Sequence, residues 1–138
     1  MTNEERETAG AEHSHNATIL FVDDDPNQRE VYKRRLERRG YSVALAPDAD
    51  SAVSSVRASR PDLVVLDLAM PERDGLSALQ ELLEIHPSMP VVINTAYPAY
   101  ADDFVAWAAD GWVEKSSDLK PLLAEIERAL GRCAAATR

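Results

Sequence analysis

The chain of 138 residues holds a single cysteine, Cys133, so no disulfide can form within it. A reduced, cytoplasmic setting is the expectation from that shortage. No apolar run approaches the ~20 residues needed to cross a bilayer, so membrane insertion is not expected. Positive charge is also short: 15 Lys and Arg stand against 24 Asp and Glu, a net charge of −9. That balance disfavours direct nucleic-acid binding, which needs a basic face against phosphates. Only five glycines occur, and none falls in the first strand-to-helix turn. Nucleotide and flavin carriers of α/β type use glycines there to let a phosphate approach the backbone. Residues 2–7 are polar and acidic, unlike a secretory signal.

Against these absences, a hydrophobic content of 45% is that of one globular domain with a full core. The clearest stretch is Leu63-Val64-Val65-Leu66-Asp67, bounded by Pro61 and Pro71. A short, unbroken apolar run of this kind reads as a strand buried on both faces. Such strands form parallel sheets covered by helices, and ligands sit beyond their carboxyl ends. Asp67 ends the run, so its carboxylate is expected at that rim. Inside a strand an Asp is unfavourable; at the mouth of a sheet it can be a working group.

Thr18–Val22 reads as a first strand, ending in Asp23-Asp24-Asp25. Asp25 is placed to cap a helix that opens on Pro26, whose missing N–H costs nothing there. That helix is expected to run to Arg39 and stop at Gly40. Residues 41–46 alternate as a second strand. Asp48 caps a helix with Ala49, Ala52, Val53 and Val56 on one face, the i, i+3, i+4, i+7 stripe. After the central strand come a helix through Leu76, Leu79, Leu82 and Leu83 and a strand over 90–95. A weaker helix is expected over 99–109, around Phe104 and Ala108. Gly111–Glu114 is the fifth strand, closed by Lys115. Leu119, Leu122, Leu123, Ile126 and Leu130 mark the last helix, capped by Ser117 or Asp118.

Five strand–helix repeats imply one parallel α/β sheet with helices on both faces and right-handed crossovers. The domain is expected over 18–131. A flexible tail over 1–17 precedes it, and a short tail over 132–138 follows, with no further module expected. The first tail carries Glu4, Glu5, Glu7 and Glu12 and almost no apolar residue, too little to offset its ordering entropy. His13 and His15 within it read as incidental rather than as metal ligands.

Parallel topology brings all five strand ends to one edge. Asp23, Asp24, Asp67, Thr95 and Lys115 therefore converge on one crevice. Two carboxylates about 4 Å apart repel by about 4 kcal/mol at an effective dielectric of about 20. Three of them together call for a cation. The candidate ligands are all oxygens, which suits Mg²⁺, an ion that keeps several waters and often bridges to phosphate. A carboxylate beside Mg²⁺ can attack phosphorus and carry the phosphoryl group as an acyl phosphate. The phosphoryl oxygens then need donors, and the Thr95 hydroxyl and Lys115 ammonium are of the right type.

Four motifs stand in order: Val22-Asp23-Asp24-Asp25, Leu66-Asp67-Leu68-Ala69-Met70-Pro71 with Asp74-Gly75, Asn94-Thr95-Ala96, and Gly111-Trp112-Val113-Glu114-Lys115. With them the chain resembles a receiver domain of a two-component response regulator, of the stand-alone type, over about 18–130. The resemblance implies a doubly wound (βα)5 flavodoxin-like fold with strand order 2-1-3-4-5. It implies that Asp67 is the phosphoacceptor. Asp24 and Asp67 match direct Mg²⁺ ligands, with the backbone carbonyl of Ala69 as the third, and Asp23 matches the residue that holds the metal through water. Thr95 and Lys115 match the residues that grip the phosphoryl group, and Ala96 the small residue that leaves it room. Trp112 aligns with an aromatic that turns inward when the threonine moves. The phosphoryl group would come from a histidine kinase or a histidine phosphotransfer protein. The signal would pass to a downstream protein or along a phosphorelay.

The chain departs from that family at two places. Ser116 follows the lysine, where proline is usual. Trp112 stands where Tyr or Phe is commoner, and its larger ring reads first as packing. A rival from another class is a small Mg²⁺-dependent phosphatase with an aspartyl nucleophile. It needs a second acid two residues beyond the nucleophile, and that position is Ala69. The helix after Pro26 carries Arg29, Lys33, Arg34, Arg35, Arg38 and Arg39 against Glu30 and Glu37. It reads either as a solvated face or as a docking surface for the kinase.

Overall fold

The structure, a computed structural model, describes residues 17–69, 75–96 and 109–136, with side chains as far as 131. These contain β1 (Thr18–Val22), α1 (Pro26–Glu37), β2 (Ser42–Ala46), α2 (Ala49–Ala58), β3 (Leu63–Leu66), α3 (Gly75–Ile85), β4 (Val91–Thr95), β5 (Gly111–Glu114) and α4 (Lys120–Ala136). The strands pair in parallel in the order β2-β1-β3-β4-β5. This is the doubly wound, flavodoxin-like sheet that the strand–helix alternation implies. The helix expected over 99–109 lies outside the described residues except at 109, and the tail expected over 1–17 except at 17, as do Met70, Pro71 and Asp74.

Period-two alternation sends each strand's side chains to opposite faces. Ile19, Phe21 and Val65 pack against α1 and α4 through Leu36, Leu122 and Ile126. Leu20, Val64 and Leu66 pack against α2 and α3 through Val53, Val56 and Leu79. All four residues of β3 are buried because both faces are covered, whereas β2, at the edge, alternates between exposed and covered positions. No helix among the described residues is long and apolar enough to cross a membrane.

Helix ends follow local chemistry. Asp25 caps α1 by accepting the Asn27 N–H at 2.9 Å. Asp48 caps α2 by accepting the Ser51 N–H at 2.7 Å, which holds the Asp48 carboxyl below its ordinary value. At the start of α4, Asp118 accepts the Lys120 N–H at 3.0 Å. Helix α1 ends at Glu37, two residues before the expected Arg39, and a turn carries the chain to Gly40. Gly40 has φ of 98°, a left-handed conformation that costs glycine nothing. Helix α4 runs on to Ala136, past the boundary expected at 131. Alanine is the strongest helix former, and Ala134 to Ala136 prolong the helix at no side-chain cost.

Candidate functional site

β1 and β3 lie side by side with Val22 opposite Leu66, so Asp23 and Asp67 leave the sheet together. Ladder bonding continues one residue past each strand: Asp67 N–H donates to Val22 O at 3.0 Å and Asp23 N–H to Ala46 O at 3.2 Å. The two carboxylates are thus fixed by their backbones. Asp23 is 1% and Asp67 4% exposed, whereas Asp24 is open to solvent. One oxygen from each of Asp23, Asp24 and Asp67 lies within 4.8 Å of the others, close enough to share one metal ion.

Lys115 arrives from the far side of the sheet. β5 pairs with β4 up to Thr95 opposite Glu114, and Lys115 N–H then donates to Thr95 O at 2.8 Å. Its ammonium donates to Asp23 Oδ2 at 2.7 Å and to Asp67 Oδ2 at 3.0 Å. The other Asp67 oxygen accepts the Ala69 N–H at 3.0 Å. Burial alone would lower the Lys115 pKa, but its hydrogen bonds to Asp23 and Asp67 outweigh that and raise it. Asp67 is pushed above its ordinary value chiefly by burial, against the pull of the Ala69 N–H and Lys115, and the Asp23 charge adds to the rise. Three carboxylates and one ammonium leave the site two negative charges in excess. A divalent cation fits that donor set, which is all oxygen and half open at Asp24.

Helix α1 braces the loops that carry these groups. Arg29 Nη1 donates to Asp23 O at 2.8 Å, and Arg35 Nη1 to Ser117 O at 3.3 Å. Between them the Tyr32 hydroxyl donates to Ser116 O at 3.4 Å, while its ring stacks on Phe21 with centroids 4.8 Å apart. Residues 29, 32 and 35 follow one another at i, i+3 along a single helix edge. That spacing was visible in the sequence, where Arg29 and Arg35 counted only as members of a cationic face. Thr95 is fully buried, and Trp112 is half-buried against the core on the α3 side. The Lys115–Ser116 peptide is trans.

Asn94 is a site neighbour to which sequence reasoning assigned no role. One residue past the Leu66–Ile93 pair, it adjoins Asp67. It is 2% exposed and its Nδ2 has no hydrogen-bond partner among the described residues. An unsatisfied buried donor costs about 1–3 kcal/mol. Asn94→Leu, which keeps the branched skeleton but is the larger side chain, removes that donor and is expected to raise stability by about 1 kcal/mol in denaturant melts, less whatever its added volume costs. A loss of stability instead would mean that a bound water satisfies the amide.

A family model described as "Response regulator receiver domain" matches residues 19–127. The chain is 33% identical over 122 residues to the probable transcriptional regulatory protein TcrX of Mycobacterium tuberculosis, covering 87% of this chain and 52% of that protein. It spans about half the length of the curated relatives it matches. Response regulator protein TrrA of Thermotoga maritima, solved in complex with Mg(2+)-BeF, superposes with a TM-score of 0.79 at 34% identity, over 82% of this chain and 98% of that one. TrrA solved with histidine kinase ThkA matches at a TM-score of 0.78 and 34% identity, over 83% and 98%. With its strand order, its rim of carboxylates and these matches, the chain belongs to the response regulator receiver domain family.

Proposed function

We propose that the chain is a phosphoacceptor switch in which Asp67 takes a phosphoryl group from a histidine kinase or a histidine phosphotransfer protein. The observation that carries this reading is Asp67 itself: nearly buried at a strand end, with Asp23 and Asp24 beside it and Lys115 bridging two of the three. Asp67 attacks phosphorus, the bond from phosphorus to the donor histidine nitrogen breaks, and an acyl phosphate forms. Asp23, Asp24, Asp67 and the Ala69 carbonyl would hold Mg²⁺, which when bound offsets charge on the phosphoryl oxygens. Lys115 and the Thr95 hydroxyl hold the same oxygens. Thr95 and Trp112 would carry the change of state to a downstream protein or relay partner. Such a shift requires phosphoryl contacts that differ between two states. TrrA's solved complex with a histidine kinase supports the class of donor. Ala69 stands where a phosphatase of this type keeps its second acid, which favours a switch over an enzyme. We also place the chain in the cytoplasm, on the strength of its single cysteine.

The metal reading has a direct test. Mg²⁺ binds the folded state, so stability should rise with its concentration, by about 2.7 kcal/mol at one hundred times Kd. Asp24 is exposed, so Asp24→Asn should leave the metal-free melting temperature nearly unchanged while removing most of the Mg²⁺-dependent rise. An equal rise in wild type and variant would show that the ion binds elsewhere.

A further inference from the structure

Among the described residues the buried polar or charged ones are Asp23, Asp67, Asn94 and Thr95. All of them stand at or just past the carboxyl end of a strand, and all but Asn94 already have a part in the site. Asn94 lies in a strand of Val, Ile and Thr, buried at every position, where an amide is disfavoured. Its Nδ2 finds no partner among the described residues.

Alternation along the strands fixes which way it faces. Val65, Val92 and Val113 belong to the core on the α1 and α4 side of the sheet. Two residues further along each strand, Asp67, Asn94 and Lys115 share that side. Val113 stands opposite Asn94, and the Lys115 ammonium reaches across to Asp67 Oδ2 at 3.0 Å. The amide therefore sits on the buried side of the Lys115 bridge, one strand spacing of about 4.8 Å from Asp67.

Both Asp67 oxygens are held in this state, one by the Ala69 N–H and the other by Lys115. An acyl phosphate changes that. Once one oxygen is bonded to phosphorus the carboxyl is neutral, and the phosphoryl group carries roughly 1.5–2 negative charges. The ammonium is drawn to the larger charge. The carboxyl oxygen that Lys115 held then loses its donor. Asn94 Nδ2 is next to it and unspent, and the terminal torsion of an amide side chain is soft enough to turn toward it.

We propose that Asn94 is a reserve donor for Asp67: its amide is unsatisfied while Asp67 is a free carboxylate, and bonds the Asp67 carboxyl once a phosphoryl group has drawn Lys115 away. This role exists only if Asp67 is the phosphoacceptor. A donor left unsatisfied in one state and satisfied in the other adds its desolvation cost to the preference for the second. Asn94 therefore favours the phosphorylated state at the expense of the resting one. It does so through Asp67, without touching the metal or the phosphoryl oxygens.

Melting temperatures of the full chain with Mg²⁺ alone, and with Mg²⁺ and beryllofluoride, test this in wild type, Asn94→Leu and Asn94→Ala. The fluorines of beryllofluoride stand in for the phosphoryl oxygens. Both variants should bind beryllofluoride about ten-fold more weakly than wild type. Their stabilisation by Mg²⁺ alone should stay that of wild type, whereas a packing defect at the rim would weaken both responses. Asn94→Ala only removes atoms, so it decides the question even if the leucine variant does not fold. Beryllofluoride affinity equal to wild type in a folded variant overturns the proposal, and so does a matching loss of both responses. A wild type that gains nothing from beryllofluoride removes the phosphoacceptor reading itself, and this role with it.

Discussion

Asp67→Asn is expected to abolish phosphoryl transfer to the chain and, in metal-free buffer, to raise its stability. The first effect follows because an amide has no oxygen nucleophilic enough to replace the carboxylate. The second follows from the sign of the Asp67 shift. Burial, the largest influence, raises its pKa above the ordinary 3.8 in the fold. Between 3.8 and the raised value the native state binds more protons than the unfolded state, so stability falls as pH rises through that window. At neutral pH the ionised carboxylate is therefore a net burden that Asn removes. The gap between variant and wild type should close as pH falls below 3.8, where Asp67 is protonated in both states. Lys115 acts at the other end of the scale. Its raised pKa adds stability below 10.5 that is lost as pH climbs through its folded value. Labelling from an acyl phosphate donor and urea melts across pH check both effects. Phosphate still incorporated by the variant would remove Asp67 as acceptor. A variant less stable than wild type at neutral pH would mean that the carboxylate's hydrogen bonds outweigh its burial.

Gly75→Ala is the second large effect. Gly75 is buried at the start of α3, and its N–H donates to Leu68 O at 3.1 Å. A Cβ there would overlap the Leu68 Cα and lie 2.6 Å from its carbonyl oxygen. Both are backbone atoms of the residue after Asp67, fixed from behind by β3, and cannot swing away as a side-chain tip would. Overpacking of this kind costs about 1–3 kcal/mol, a fall in Tm of roughly 5–15 °C for a domain this size. Relief by moving Leu68 would carry Asp67 and Ala69 with it, so Mg²⁺-dependent stabilisation should weaken too. Calorimetry with and without Mg²⁺ measures both. A Tm within a degree or so of wild type would show that the helix start shifts instead of Leu68.

Much of the fold was legible in local pattern. The apolar run over 63–66 had to be buried on both faces, and the strand–helix alternation left few topologies. Asp25, Asp48 and Gly40 punctuate helices through chemistry confined to three or four neighbouring residues, and each stands where the sequence put it. Convergence of Asp23, Asp67 and Lys115 also followed from parallel topology, since all strand ends must share one edge.

What the residues themselves could not separate was the burial of Asp23 from that of Asp24. Only the packed sheet distinguishes these two: Asp23 is buried under Lys115 and Asp24 faces water. The same holds for the Leu68 backbone pressed on Gly75, for the orphaned amide of Asn94, and for Arg29 and Arg35 bracing two loops. Periodicity and capping are set by neighbours a few residues away and can be read along the chain. Which of two adjacent carboxylates is desolvated depends on an ammonium 92 residues distant, and only closing the sheet brings them into contact.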